Sequence, residues 1–331
     1  MRSAEVITGR RKQKDPVEQR QMNDITAEDR SYTAEGIVDF DPVHIFECGQ
    51  CFRWEQCEDG SYNGIAEGRI VNIRYDAGNG GFGGSGSPNA GSGECSSGSD
   101  TRKRGGSLTI TPCTKEEFNE IWYDYFDLGR DYGAIKECLS ENDEIMKKAV
   151  SYGYGIRILK QDLWETIVSF IISQNNNIPR IKGCIERLCE NFGEPVEQGA
   201  YLLDRKAYDI PSPEKLASLS EEDLAPVRLG YRARYLIETA RTVCEKGLPG
   251  DFEDLSALCG VGPKVANCIS LFGMQDHASF PIDVWVMKVM HDLYGLPEKD
   301  KKAMAQFARE KFGDLGGFAQ QYLFYYMRDR S

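Results

Sequence analysis

Histidine is scarce in this chain of 331 residues: there are three, His44, His277 and His291, too scattered to gather around one metal ion. No apolar run approaches the ~18–20 residues of a membrane span. The basic opening stretch MRSAEVITGRRKQKDP is followed by no apolar segment of the kind that marks a secretory signal. The eleven cysteines therefore read as reduced thiols of a cytosolic protein rather than a disulfide framework. Positive charge is also short. A net charge of −12 excludes a protein that coats nucleic acid by bulk electrostatics. The deficit is uneven, however: between Pro226 and Leu248 stand five basic residues (Arg228, Arg232, Arg234, Arg241, Lys246) and two acidic ones (Glu238, Glu245). One local basic face can still hold a polyanion, in a strongly salt-dependent way.

What is present divides the chain. Residues 1–30 are polar, charged and without apolar periodicity, which predicts a mobile tail. From 31 to 150 we expect an antiparallel sheet domain with accompanying helices. The runs "HIFECGQCFRW", "SYNGIAEG" and "RIVNIRY" alternate and end in turn glycines, as strands do. Residues 77–107 are Gly/Ser-rich and unable to bury a core, so they read as a disordered insertion at a hairpin tip, after which "LTITPC" resumes a strand. From Thr114 the pattern turns helical, with Thr114 and Glu117 spaced as a capping box. Residues 151–331 then read as a helical domain. "DLWETIVSFIIS" (162–173) is apolar nearly all round and predicts a central buried helix, and further helices are expected near 180–191, 213–219, 221–228, 231–246, 252–259, 263–273, 283–294, 298–312 and 316–328. The fold class is α+β: a small sheet domain followed by a helical one.

The stretch "LCGVGPKVANCISLF" (258–272) places two glycines and a proline before a lysine at the start of an apolar segment. A nucleotide-binding P-loop needs a hydroxyl after the lysine, and Val265 stands there. The preceding "DFEDLSAL" reads as a helix, so the pattern is helix, tight Gly260-Val261-Gly262 turn and second helix. Glycines permit close backbone approach, Pro263 suits a first helical turn, and the free amides of that turn can hold a phosphate. An ordinary helix connection has the same outline. Lys264, Cys268 and Phe272 fall at i, i+4 and i+8 on one helical face. Downstream, "FPIDVW" sets Asp283 directly before an apolar helix, where it is either a plain N-cap or, paired with Lys264, a catalytic carboxylate.

The hairpin with its lysine and aspartate resembles the helix-hairpin-helix DNA glycosylase superfamily. The blocks "ECGQCFRW" (47–54), "SQNNNIPRIKGCIERLCENFG" (173–193), "LGYRARYL" (229–236), "LCGVGPKVANC" (258–268), "FPIDVW" (280–285) and "FAQQYLF" (318–324) resemble, in order, its 8-oxoguanine DNA glycosylase family. That resemblance implies a bifunctional enzyme that flips a damaged base out of duplex DNA, excises it and cleaves the strand. It implies Lys264 as nucleophile and Asp283 as its assistant. An amine must shed its proton to attack C1′ of the sugar, and the resulting Schiff base permits β-elimination of the 3′ phosphate. It further implies Asn175 in the vacated hole, Arg180 and Arg232 reading the widowed cytosine, and Tyr231 wedging the neighbouring step, with Gly260 and Gly262 at the backbone. Gly49, Cys268, Phe272, Gln320 and Phe324 form the implied base pocket. There the Gly49 carbonyl accepts from the N7 hydrogen that 8-oxoguanine has and guanine lacks.

This sequence departs from the usual family pattern at Trp285, where histidine is common, and at Phe272, where methionine is common. Cys48 and Cys51 form C-x-x-C without a second pair at zinc spacing, and no cysteine follows Cys268, so the iron–sulfur loop of endonuclease III relatives is lacking. No metal or organic cofactor is expected. The partner implied is duplex DNA carrying 8-oxoguanine, met by a monomer without membrane attachment, in the cytoplasm or nucleoid, or the nucleus of a eukaryote. Two alternatives stay open: a glycosylase of the same fold acting on alkylated bases, and a hairpin protein that binds damage without cutting.

Overall fold

The computed structural model describes residues 30–78 and 105–328. The tail expected at 1–30 lies outside them apart from Arg30, and so does the Gly/Ser segment between 79 and 104. Five strands, β1 (Tyr32–Ile37), β2 (Trp54–Gln56), β3 (Tyr62–Ala66), β4 (Arg69–Asp76) and β5 (Gly106–Thr111), form an antiparallel sheet in the order β1-β5-β4-β3-β2. Asp76 pairs with Ser107, so the Gly/Ser segment joins the two ends of one hairpin. Alternation is visible in β5, where Leu108 and Ile110 point into the core and Ser107 and Thr109 do not.

One strand expectation is corrected. "HIFECGQCFRW" is not extended until its last residue: Pro42–Phe46 is a short helix and only Trp54 enters a strand. The reason is local. The Asp41 side chain accepts from the amides of Val43 and His44, and Pro42 supplies the fixed φ of a first helical turn. A second correction falls at 221–228, which is a turn followed by a 3₁₀ segment, Ala225–Val227. Ser220 and Asp223 bond each other there, Pro226 offers no amide, and Arg228 takes a φ of 64°. Elsewhere the expected helices form. Thr114 and Glu117 make the reciprocal capping box.

Among the described residues two large apolar cores form, with a small third cluster of Ile65, Ile70, Val196 and Ala207. Phe46, Trp54, Tyr62, Trp122 and Phe126 fill the space behind the sheet, and Phe46 stacks on Trp54 at 4.2 Å between centroids. The larger core surrounds the helix Leu163–Ser173, in which Trp164 and the run Thr166–Ile172 are all buried. This core also takes Cys48 and Phe52 from the sheet side, and the helix Glu144–Tyr152, which crosses position 150, packs against the C-terminal helix Gly316–Arg328.

The seam between the cores is polar and bonded. Arg157 is buried and donates to the carbonyls of Asp39, Asp127 and Val38 at 2.9, 2.6 and 2.8 Å. Gln50, also buried, donates to the carbonyls of Ile45 (2.9 Å) and Arg157 (2.7 Å) and accepts from the Leu159 amide at 2.9 Å. Buried Arg53 reaches Asp209 at 3.2 Å and Glu165 at 3.9 Å. Burial pushes the Glu165 carboxyl up to about 7, although Arg53 pulls it down. Its native titration point thus lies above the ordinary glutamate value of ~4.3, and ionised Glu165 costs the fold free energy. That cost is full above about pH 7 and disappears as pH falls towards the unfolded value. Glu165→Gln is expected to melt above the parent at pH 8, with the difference shrinking towards pH 5 in thermal scans.

Candidate active site

The hairpin consists of Phe252–Ala257, a turn, and Pro263–Gly273. Asp251 caps the first helix through the amides of Glu253 and Asp254. The second helix begins at Gly262 with Pro263 in its first turn, and no side chain caps its opening amides. Gly260 has a φ of 78°, and a Cβ there would stand 2.3 Å from the Tyr235 ring. Glycine is required twice over at that position. Gly262, by contrast, is extended and has open space around it.

Lys264 sits in the first turn of the second helix, half-buried, with Nζ 5.6 Å from the centre of the Phe170 ring. Phe170 in turn stacks on Phe272 at 5.4 Å and 14°. Cys268 lies one turn on and is fully enclosed. Burial pushes its thiol up, and the charge and hydrogen bond of Lys264 act against that. Asp283 caps the helix Val284–Asp292, accepting from the Val286 amide at 2.8 Å. Its carboxyl is held above the ordinary aspartate range because burial outweighs the helix-start amides and the Lys264 charge. Lysine, thiol and carboxylate therefore share one site, the thiol enclosed and the other two half-buried. Val284 beside it is 66% exposed, while Trp285 is half-buried against the larger core.

A second group comes from the Asn run. The helix Leu163–Ser173 ends at Gln174, and Asn175 is exposed with a left-handed φ of 46°. The three asparagines differ. Asn176 bonds back to the Ile172 carbonyl at 3.1 Å, Asn177 caps the next helix by accepting from the Arg180 amide at 3.0 Å, and Asn175 is exposed, as Asn177 is. Arg180 is exposed beside it. Arg232 is turned inward in this structure. It is 4% exposed, and its guanidinium donates to the carbonyls of Gln174 (2.9 Å), Leu229 (3.1 Å) and Asn175 (3.0 Å). It also lies 4.5 Å over the ring of Tyr231, which is 50% exposed and set edge-on to Tyr235. Arg232 thus holds the turn that presents Asn175.

The third group joins the chain's two ends. Gly49 has a φ of 80°, and its Cβ position lies 3.4 Å from the Phe324 ring. Gln320, one turn before Phe324, is buried and accepts from Gln321 at 2.8 Å. Cys48 donates to the Ile45 carbonyl at 3.2 Å, and burial pushes its thiol up to about 12, so the C-x-x-C is built into the core. Four contributors escaped the sequence reading: Gln50, Phe170, Asn177 as a cap, and Arg328. Asn177 was legible, since Pro179 follows it closely and Asn is a strong N-cap residue. Phe170 was not, being one apolar residue in an apolar helix.

A helix-hairpin-helix with a lysine and a carboxylate at two neighbouring helix starts points to a class, the HhH-GPD base-excision repair proteins, and that superfamily's model matches residues 168–313. The model of the 8-oxoguanine DNA glycosylase N-terminal domain matches residues 34–167. A solved Clostridium acetobutylicum 8-oxoguanine glycosylase/lyase, in complex with double-stranded DNA containing cytosine opposite 8-oxoguanine, is 39% identical, with 92% of this chain and 97% of that one covered at a TM-score of 0.78. An N-glycosylase/DNA lyase of Saccharomyces cerevisiae is 39% identical over 157 residues, 41% of each chain. The N-glycosylase/DNA lyase OGG1 of Arabidopsis thaliana is 28% identical over 84% of this chain and 75% of its own. The chain belongs to the 8-oxoguanine DNA glycosylase family of the HhH-GPD superfamily.

The raised Asp283 carboxyl has a consequence for stability. Because the native value exceeds the unfolded one, ionised Asp283 costs the fold free energy at neutral pH, and the cost vanishes as pH falls through the native titration point towards ~3.9. Asparagine keeps the N-cap without the charge. Asp283→Asn is expected to melt no lower than the parent at pH 7, and the same scans should show Gly260→Ala destabilised by about 1–3 kcal/mol.

Proposed function

We propose that this chain is a bifunctional DNA glycosylase/AP lyase that flips 8-oxoguanine out of duplex DNA, opposite cytosine, and excises it. The observation that carries the reading is Lys264 at the opening turn of the hairpin's second helix, sharing one site with Asp283. The hairpin amides bind the backbone phosphate, and the base enters between Gly49 and Phe324, where Gln320 and Cys268 contact its edge and face. The amine of Lys264 attacks C1′ while the base departs with the glycosidic electron pair and takes up the proton that the attacking amine sheds. Asp283 offsets positive charge developing on the sugar. Opening of the sugar ring yields the Schiff base. Loss of a C2′ proton then expels the 3′ phosphate, and hydrolysis returns Lys264. The protein acts wherever its DNA is housed, as a monomer.

Borohydride should trap the parent covalently on duplex DNA containing 8-oxoguanine. Lys264→Gln should give no adduct while still retarding the same duplex in a gel shift. Trapping by that variant would assign the nucleophile to another amine.

Opposite-base reading falls to Arg180, exposed beside Asn175, with Arg232 holding the turn. Arg180→Ala is expected to reduce single-turnover excision opposite cytosine by about tenfold, the order of one lost bidentate base contact, and to change the rate opposite adenine far less. Arg232→Ala should lower both rates by similar factors, together with the melting temperature. A loss confined to cytosine in the Arg232 variant would return the reading role to it.

A further inference from the structure

On the reading above, the base pocket has two walls, Gly49 on the loop after Pro42–Phe46 and Phe324 on the C-terminal helix, which stand close here, a Cβ on Gly49 falling 3.4 Å from the Phe324 ring. Something must set the distance between them, because a flat ring is gripped only when both walls stand at its thickness. On the inner side Gln50 ties the loop to the 157–159 segment. On the outer side the structure offers Arg328. It stands one helical turn after Phe324 and donates from Nη1 to the Glu47 carbonyl, two residues before Gly49. Its guanidinium carbon lies 5.5 Å over the Phe324 ring and 5.3 Å over that of Tyr325. One side chain therefore touches both walls, through a charge-assisted hydrogen bond to one and a cation–π contact to the other.

We propose that Arg328 is a positioning residue of the base pocket, fixing the separation of the Gly49 loop and the Phe324 ring. The inference rests on the reading of those two residues as the pocket walls. It gives Arg328 a specific signature. Removing the base needs the pocket, whereas cleaving a preformed abasic site needs Lys264 and Asp283 with no base to enclose. A loosened pocket thus slows the first reaction and spares the second, while a poorly folded protein loses both.

The test compares single-turnover excision of 8-oxoguanine with cleavage of an abasic duplex for the parent, Arg328→Met, Arg328→Lys and Phe324→Ala. Arg328→Met keeps the apolar stem and should lower the ratio of excision to abasic cleavage by about tenfold, as expected on losing one hydrogen bond to a charged group. Arg328→Lys, which retains a charge and a donor, should recover part of that ratio. A proportional loss of both reactions in Arg328→Met would overturn the proposal by making Arg328 a stability element, and an unchanged ratio would overturn it as well. Phe324→Ala separates the two levels. If it lowers the ratio while Arg328→Met does not, the pocket stands and Arg328 has no part in positioning it. If Phe324→Ala leaves the ratio unmoved too, the pocket reading itself fails.

Discussion

The buried amide of Gln50 is the contact on which the site most depends. It bonds the carbonyls of Ile45 and Arg157 and the amide of Leu159, while Gln161 bonds its own carbonyl at 2.9 Å. Those partners lie on the helix before the Gly49 loop and on the segment leading to the central helix Leu163–Ser173. One side chain thus aligns the sheet-side wall of the pocket with the helix that ends at Asn175 and carries Phe170 beneath Lys264. Buried backbone polar groups that lose such a partner are left unsatisfied, at about 1–3 kcal/mol each. Arg157, with its three carbonyl acceptors, applies the same logic one step further out.

Partial burial of Lys264 and Asp283 about the enclosed Cys268 sets two demands against each other. Burial strengthens every charge interaction in the site, which under the proposed mechanism favours catalysis on a developing positive sugar. It also raises the carboxyl of Asp283, which works against the ionised form that the proposed mechanism uses. The helix start resolves part of this conflict. Amides at Trp285 and Val286 and the charge of Lys264 all favour the carboxylate, so the same geometry that caps a helix also keeps its cap charged. The stability lost there is offset by the large apolar core around it.

Much of this was readable before any coordinates. The hairpin, the Asp283 cap and the Thr114–Glu117 capping box each rest on contacts within a few residues, and local chemistry determines them. The short helix at Pro42–Phe46 was readable by the same rule, from Asp41 and Pro42, but alternation in "HIFECGQCFRW" outweighed it. What local pattern could not supply was the partner of a long polar side chain. Nothing in "GYRARY" says that the first arginine, Arg232, turns inward to the carbonyls of Gln174 and Asn175, nearly 60 positions away. Nor does the sequence join Arg328 to Glu47, 281 positions away. The core around Leu163–Ser173 was legible as apolar, while the face of it that meets Lys264 was not.

The absence of room at Gly260 gives the hairpin the properties of a ruler. Tyr235 fills the space where a side chain would stand, Tyr231 rests edge-on against Tyr235, and Arg232 lies over Tyr231. The hairpin turn, Tyr231 and the Asn175 turn are consequently spaced by packed rings rather than by free loops. On the proposed reading, in which the hairpin holds a phosphate and Tyr231 wedges a base step, a duplex would meet one rigid surface rather than three separate loops.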